Sequence, residues 1–336
     1  MTDRDRDPDG VGLGGIDAAE GISDEPVTQW DLFFTRLRRH RLAMLSAAFL
    51  LFMVLLSFVV APLVTCEKNV DPCDKVFYHP ETQRRDATGR LLVNIGPRDG
   101  IVLGTDEVAH DVLSRVVHGG RASLLVGLVT GFIVALFGTV VGSIAGFYPG
   151  PVDQALMRFT DLVLGLPLLP VAIVVGRVIQ DLPFLPPWMR GGPWGIAFLF
   201  GFLLWGTLAR IVRAEFLSLR EKEFVEAARA SGASDRRIVF RHILPNAMSP
   251  IIVQTTLIVG TAVILEAALS FLGFGVPPPT PTWGGMAQSG AGIAARGFWW
   301  ELVGAGLALV LTVLSVNFIG DGLRDALDPT QTIERK

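Results

Sequence analysis

The chain has 336 residues, of which 50% are hydrophobic and 18% charged, whereas a soluble domain has about 25% charged residues. This composition and a mean hydropathy of +0.48 exclude an ordinary soluble enzyme. Two cysteines exclude a disulfide-built mini-protein, and a net charge of −3 leaves no basic excess for a nucleic-acid partner. We therefore expect a membrane protein that crosses the lipid bilayer several times.

Six uncharged, apolar runs are candidate membrane spans. A crossing takes roughly 20 residues, and the runs do not alternate apolar and polar residues as barrel strands would. Backbone groups in lipid must then be satisfied within helices. The sequence therefore predicts an all-α polytopic protein with six transmembrane helices, the third run being the shortest; the runs are 42–64, 122–149, 162–176, 191–209, 242–265 and 302–320.

Basic residues predict the orientation of the spans. Four arginines precede the first span, and eight Arg or Lys residues lie between the fourth and fifth, which places both regions in the cytoplasm. The loop after the first span has acids as well as bases and is near the length at which this rule loses force. We expect a plasma (inner) membrane protein with both termini cytoplasmic.

These patterns divide the chain into segments. Residues 1–29 form an acidic tail, expected to be disordered, and 30–41 an amphipathic helix that lies at the membrane surface or merely extends the first span. The first span is 42–64, and 65–120 is an extracytoplasmic loop. A core of five transmembrane helices follows at 121–327, with a cytoplasmic loop at 216–245 and a tail at 328–336.

The second span carries glycines at small-residue spacing. Without Cβ atoms, helices approach closely in lipid, so this pattern predicts tight packing. The glycines are Gly127, Gly131, Gly138, Gly142 and Gly146.

The cytoplasmic loop has the signals of a helix, a turn and a second helix. Good helix formers fill 221–230, and Gly232 is suited to the left-handed residue just beyond a helix end. Ser234 and Asp235 are suited to cap the second helix, and Pro245 interrupts it where the fifth span begins. Ala227 and Ala228 make one face small enough for another protein to approach closely.

The spacing of this loop resembles a known family. The loop matches the EAA loop of ATP-binding-cassette (ABC) importer permeases: three residues separate Glu226-Ala227-Ala228 from Gly232, and eleven separate Gly232 from Leu244-Pro245. His242 stands where that pattern has an aliphatic residue, and the other positions remain in register.

Other stretches are similar to the second membrane subunit of dipeptide, oligopeptide and nickel importers. Ala109-His110 departs from the usual Gly-Arg, and the external stretch 66–98 is longer than expected for that group. The similar stretches are 104–107, 111–115, 161–167, 240–246, 266–273 and 283–284.

The resemblance implies a type I ABC importer permease fold, and a peptide importer that works by alternating access. Its partners would be a second homologous permease subunit, two cytoplasmic ATP-binding subunits and an extracytoplasmic substrate-binding protein. The ATPases would dock on a coupling helix at 221–232, although a solvated connecting loop is the plain alternative. The implied docking residues are Glu223, Glu226, Ala227, Ala228, Ser231, Gly232, Ala233 and Pro245.

The chain itself has no Gly-x-x-x-x-Gly-Lys-[Ser/Thr] loop, so we expect no bound ATP and no other cofactor. ATP with Mg²⁺ would be held by the partner subunits, and the chain would not be an enzyme. A permease for nickel or other small solutes is the first alternative. An ion-coupled secondary transporter is the second, although its coupling ion usually needs acids near the membrane centre.

Four further residues are candidates for a role at the outer side. Arg177 and Glu266 would both lie in the outer half of the membrane, either as an ion pair or gate, or independently, with each side chain extending to the interface. Cys66 and Cys73 share the external loop and are expected to form a disulfide rather than a metal site. The Pro-rich stretch 277–283 is expected to be a rigid elbow that contacts the binding protein, or a plain connection.

Overall fold

A computed structural model describes residues 29–73, 75–98, 100–183 and 185–327, without the side chains of 29–32 and 34. These residues form helices joined by irregular loops with isolated β-bridges, which confirms the all-helical prediction. The predicted tails, apart from residue 29, lie outside the described residues.

Eleven helices are labelled in chain order, within the described residues. Helix α8 comprises two short helical turns around the π-helical segment Ile238–Ile243. The helices are α1 (Gln29–Arg39), α2 (Arg41–Val64), α3 (Val112–Phe147), α4 (Pro151–Leu164), α5 (Leu168–Asp181), α6 (Pro193–Arg220), α7 (Glu223–Ala230), α8 (235–246), α9 (Met248–Phe271), α10 (Trp283–Ala294) and α11 (Trp300–Leu327).

Five of these helices are long and apolar enough to cross a membrane: α2, α3, α6, α9 and α11. The third predicted span is different, because it is divided between α4 and α5, which meet at an angle of 86°. Pro167 lacks a backbone N–H and disfavours helical geometry at Leu166, so the helix stops there. The prediction of one continuous helix over 162–176 is therefore wrong, and a sixth crossing exists only if the bent pair counts as one span.

Helix α3 begins ten residues before the predicted second span. The Asp111 carboxylate caps it by accepting a hydrogen bond from the Ser114 backbone N–H at 2.8 Å. The external loop therefore ends at Asp111 and not at residue 120. Arg115 and Arg121 lie in this part of the helix, so the uncharged run begins only after it.

The predicted glycine faces are confirmed and place α3 at the centre. A Cβ on Gly142 would lie 2.5 Å from the Ala209 carbonyl oxygen of α6, and one on Gly127 would lie 2.6 Å from Val263 of α9. Helix α11 packs on α9 and α2, and α1 lies against α11. Dispersion between such closely packed helices stabilises the bundle in lipid.

The two ends of the bundle carry different structures. At one end, called the α7 end, Gly322 of α11 lies against Ala43 of α2, and Arg220 donates to the Phe147 carbonyl oxygen at 3.3 Å. At the other, called the Cys66 end, the Trp300 indole N–H donates to the Thr105 carbonyl oxygen at 2.9 Å. The external loop and α10 therefore lie at the opposite end of the spans from α7.

Candidate functional site

Helix α7 is held on the bundle by one buried side chain. Val225 is fully buried in a cluster with Phe216 of α6 and with Ile238 and Ile243 of α8. Burying a valine contributes about 1.5–3 kcal/mol, so this contact orients a helix too short to be stable alone.

The opposite face of α7 is exposed. Glu223, Glu226, Ala227 and Ala230 all face outward. Ala228 is half-buried and packs against the Val225 cluster, as does Ala233. The prediction that Ala227 and Ala228 share one open face is therefore wrong, because adjacent helical residues point about 100° apart.

The end of α7 is a Schellman motif. The Gly232 N–H donates to the Arg229 carbonyl oxygen at 2.9 Å, and the Ala233 N–H donates to that of Ala228 at 3.0 Å. Gly232 has φ +78°, and a Cβ there would meet no atom within 4 Å. Gly232 is thus needed for its backbone geometry, as predicted, and the Ser231 hydroxyl donates to the Ala227 carbonyl oxygen at 2.9 Å.

The second half of the loop forms the predicted second helix, but the predicted cap by the Ser234 side chain is wrong. Ser234 stands at the start of α8, although its side chain makes no capping hydrogen bond. Asp235 instead accepts a hydrogen bond from the Tyr148 hydroxyl at 3.4 Å. Pro245 lies in the last turn of α8, and α9 begins at Met248, six residues after the predicted start of the fifth span.

A pair that the sequence analysis missed supports this end of the bundle. Arg213 of α6 donates from Nε and Nη2 to the two carboxylate oxygens of Asp153 on α4, at 2.5 and 2.6 Å. A bidentate pair of this kind fixes orientation as well as distance. The pair ties α4 to α6, and α7 follows α6 along the chain. In the sequence, only a Pro-x-Asp helix start and an excess of arginines indicated this pair.

Arg177 and Glu266 do not form an ion pair within the described residues. Glu266 is completely buried and accepts hydrogen bonds from the hydroxyls of Ser123 at 2.9 Å and Ser270 at 2.7 Å. Arg177 is exposed and donates to Gln180 at 3.4 Å. The predicted ion pair is wrong, because α5 turns away from the direction of α4 at the bend. The predicted extension of Glu266 to the interface is also wrong, because two hydroxyls donate hydrogen bonds to its carboxylate inside the bundle.

The external loop is a compact folded segment. Cys66 and Cys73 form a disulfide. Arg84 is buried between Asp71 at 3.3 Å and Asp111 at 3.6 Å, and its guanidinium lies 3.8 Å from the centre of the Tyr78 ring. The disulfide is the predicted one, whereas the Arg84 contacts, which anchor the loop next to the start of α3, were not predicted.

A cavity of about 500 Å³ opens beneath this loop at the Cys66 end. The loop, the predicted Pro-rich elbow, α5, α10 and the first turn of α11 line it, and Arg177 is among the lining residues. Asp106 lies here with Arg115 at 2.8 Å and His110 at 3.1 Å. Burial opposes ionisation of Asp106, but the His110 hydrogen bond and the Arg115 charge outweigh it and hold the pKa of Asp106 below its usual value.

A solved structure shares this fold. A chain of the MetNI methionine ABC transporter, in an inward-facing conformation, has a similar structure with a TM-score of 0.50 and 22% sequence identity. The similarity covers 64% of this chain and 96% of that chain. The two chains therefore share a fold.

The sequence comparisons show the family. The model for the inner membrane component of binding-protein-dependent transport systems matches residues 138–333, and that for the N-terminal transmembrane domain of oligopeptide transport permease C matches 28–87. The chain is 37% identical to the dipeptide transport system permease protein DppC of Alkalihalophilus pseudofirmus, over 90% of each chain. It is 39% identical to the di/tripeptide permease DppC of Pseudomonas aeruginosa, over 75% of this chain and 80% of that one. The chain belongs to this family of multi-pass ABC importer permeases.

Proposed function

We propose that the chain is one of two permease subunits of an ATP-driven peptide importer in the inner membrane. Two cytoplasmic ATPase subunits bind and hydrolyse ATP, and an external binding protein delivers the peptide. The dipeptide and di/tripeptide permeases that it resembles support a peptide substrate. In this arrangement the α7 end faces the cytoplasm, together with the segments that precede α2 and follow α11.

The observation that carries this proposal is the geometry of α7. Its exposed residues are mostly small or charged, with Phe224 as the large apolar side chain among them, while Val225 fixes the helix to α6 and α8. A rigid helix that projects from the bundle transmits closure of the ATPases to the spans as a rigid-body motion. The docking surface comprises Glu223, Glu226, Ala227 and Ala230, with Ser231 and Gly232 at its end, whereas Ala228, Ala233 and Pro245 shape its support.

The test is a substitution on the outward face. Ala227→Trp places a large side chain where the ATPase groove would approach and leaves Val225 untouched. We expect at least about tenfold less ATPase subunit to co-purify, because a central interface position is worth about 2 kcal/mol, and transport to fall accordingly.

Ala87→Trp is the matched control, because Ala87 is an exposed alanine of the external loop at the opposite end. Normal ATPase recovery and transport in Ala227→Trp would contradict docking on α7. Uptake of nickel but not of a labelled dipeptide by the reconstituted complex would contradict the peptide substrate and leave the docking surface in place.

A further inference from the structure

The cavity at the Cys66 end contains a carboxylate with an unused acceptor. Glu301, in the first turn of α11, is 1% exposed and lines the cavity. Its Oε1 accepts a hydrogen bond from the Ser289 hydroxyl at 2.7 Å. Its Oε2 has no hydrogen-bond partner among the described residues, although a buried polar atom usually has one.

The surroundings of Glu301 favour a positively charged partner. Four acids line the cavity, Glu81, Asp106, Glu107 and Glu301, against the two guanidinium groups of Arg115 and Arg177. Asp106 engages Arg115 at 2.8 Å, with His110 beside it at 3.1 Å, and Glu81 pairs with Lys68. The acids that remain are Glu107 and Glu301, against Arg177. The N-terminus of α11 also favours a negative charge in its first turn.

The size of the cavity suits a small organic solute. Pockets for such ligands measure about 300–1,000 Å³ and combine an apolar lining with a few convergent polar groups. This cavity, of about 500 Å³, has the Pro-rich elbow and Met286 on its apolar side and Glu301 on its polar side.

We propose that Glu301 is a binding residue for the primary ammonium group of solutes that enter the cavity at the Cys66 end. This inference rests on the proposed function for the identity of the solute, the free amino terminus of a short peptide. The ammonium donates to Oε2 of Glu301, and Ser289 holds the carboxylate in position through Oε1. The Pro-rich elbow excludes water from one side of the pair.

The experiment measures binding to the assembled transporter in nanodiscs, without nucleotide and without the binding protein. The probes are trialanine and N-acetyl-trialanine, which lacks the ammonium group. The affinity of each probe is measured by saturation-transfer NMR. We expect trialanine to bind about tenfold more tightly than the acetylated probe, because a hydrogen bond between charged groups is lost in the latter. Glu301→Gln is expected to weaken trialanine binding by a similar factor. Glu67→Gln, which changes an exposed carboxylate of the external loop that does not line the cavity, is the matched control.

Three results would overturn the proposal. The first is equal affinity for the two probes, and the second is unchanged trialanine binding in Glu301→Gln. The third is competition by sodium as strong as that by trialanine at matched ionic strength, because this would show that the carboxylate binds an inorganic cation. The comparison of the two probes on the unsubstituted protein decides the matter even if Glu301→Gln fails to assemble. Because this measurement involves neither ATP nor transport, its failure leaves the docking role of α7 untouched.

Discussion

At the scale of single residues, Glu266 shows how a charged side chain is accommodated inside the bundle. The Ser123 hydroxyl of α3 and the Ser270 hydroxyl of α9 donate to its two carboxylate oxygens. Ser123 in turn accepts the Trp283 backbone N–H at 3.3 Å, so the network reaches the start of α10. Glu266 therefore joins three helices at the Cys66 end instead of lining the cavity.

This network predicts the effect of removing the carboxylate. Glu266→Ala leaves two buried hydroxyls without an acceptor and opens a void, so we expect it to lower the free energy of unfolding by roughly 1–3 kcal/mol. Glu266→Gln retains an acceptor and is expected to lose less. The measurement is the thermal unfolding midpoint of the detergent-solubilised full chain, with the exposed Glu67→Ala as control. Equal midpoints for Glu266→Ala and Glu67→Ala would contradict a stabilising network.

At the scale of helices, the contact between α3 and α6 depends on the absence of side chains. A Cβ on Gly138 would lie 2.8 Å from the Leu208 side chain, and one on Gly146 would lie 2.7 Å from the Arg213 carbonyl oxygen. To make room for one added Cβ, the backbone of α6 would have to shift along its whole length. The same contact positions α6 over α4, and α7 follows directly from α6.

A methyl group at Gly142 tests this packing. Gly142→Ala brings its Cβ to 2.5 Å from the Ala209 carbonyl oxygen, so we expect a loss of about 1–3 kcal/mol in the free energy of unfolding. Gly306→Ala, in the first third of α11, is the matched control because no atom lies within 4 Å of a Cβ there. The control is expected to be neutral or to stabilise the chain by up to about 1 kcal/mol, since glycine weakens a helix interior. Similar unfolding midpoints for the two variants would show that α3 and α6 do not pack as closely as described.

At the scale of the whole molecule, the chain separates two surfaces by the length of its spans. The exposed face of α7 lies at one end, and the disulfide-closed loop and the charged cavity lie at the other. Three of the span-length helices that join them are 28 or more residues long, enough at 1.5 Å per residue to exceed a hydrocarbon core of about 30 Å. The two ends are thus on opposite sides of a membrane.

Membrane-impermeant labelling tests this arrangement. After mild reduction in right-side-out vesicles, we expect an impermeant maleimide to label Cys73, which is half-buried, in preference to Cys66, which is 4% exposed. A cysteine introduced by Ala227→Cys, in a chain with both native cysteines replaced by serine, is expected to react only in inverted vesicles. Labelling of both positions from the same side would contradict the predicted orientation.

The features that followed from local patterns were largely predictable from the sequence. Apolar runs located the five long spans, the glycine spacing located the close contacts of α3, and Gly232 marked the end of α7. Each of these signals lies within a window of a few helical turns, where periodicity and backbone preference act directly. Boundaries were less accurate at α3, because charged first turns extend it ahead of the apolar run, and at α9, because residues 242–246 belong to the separate helix α8.

The sequence by itself determined that this protein is a helical membrane protein with a short helix–turn–helix between its long spans, because hydrophobic length, glycine and proline act locally. Only the tertiary structure decided that α4 and α5 bend apart, that Glu266 is buried against Ser123, 143 residues away, and that Glu301 lines a cavity with an unused oxygen. These outcomes depend on contacts between distant segments, and no local preference encodes which partner a side chain meets once the helices have packed.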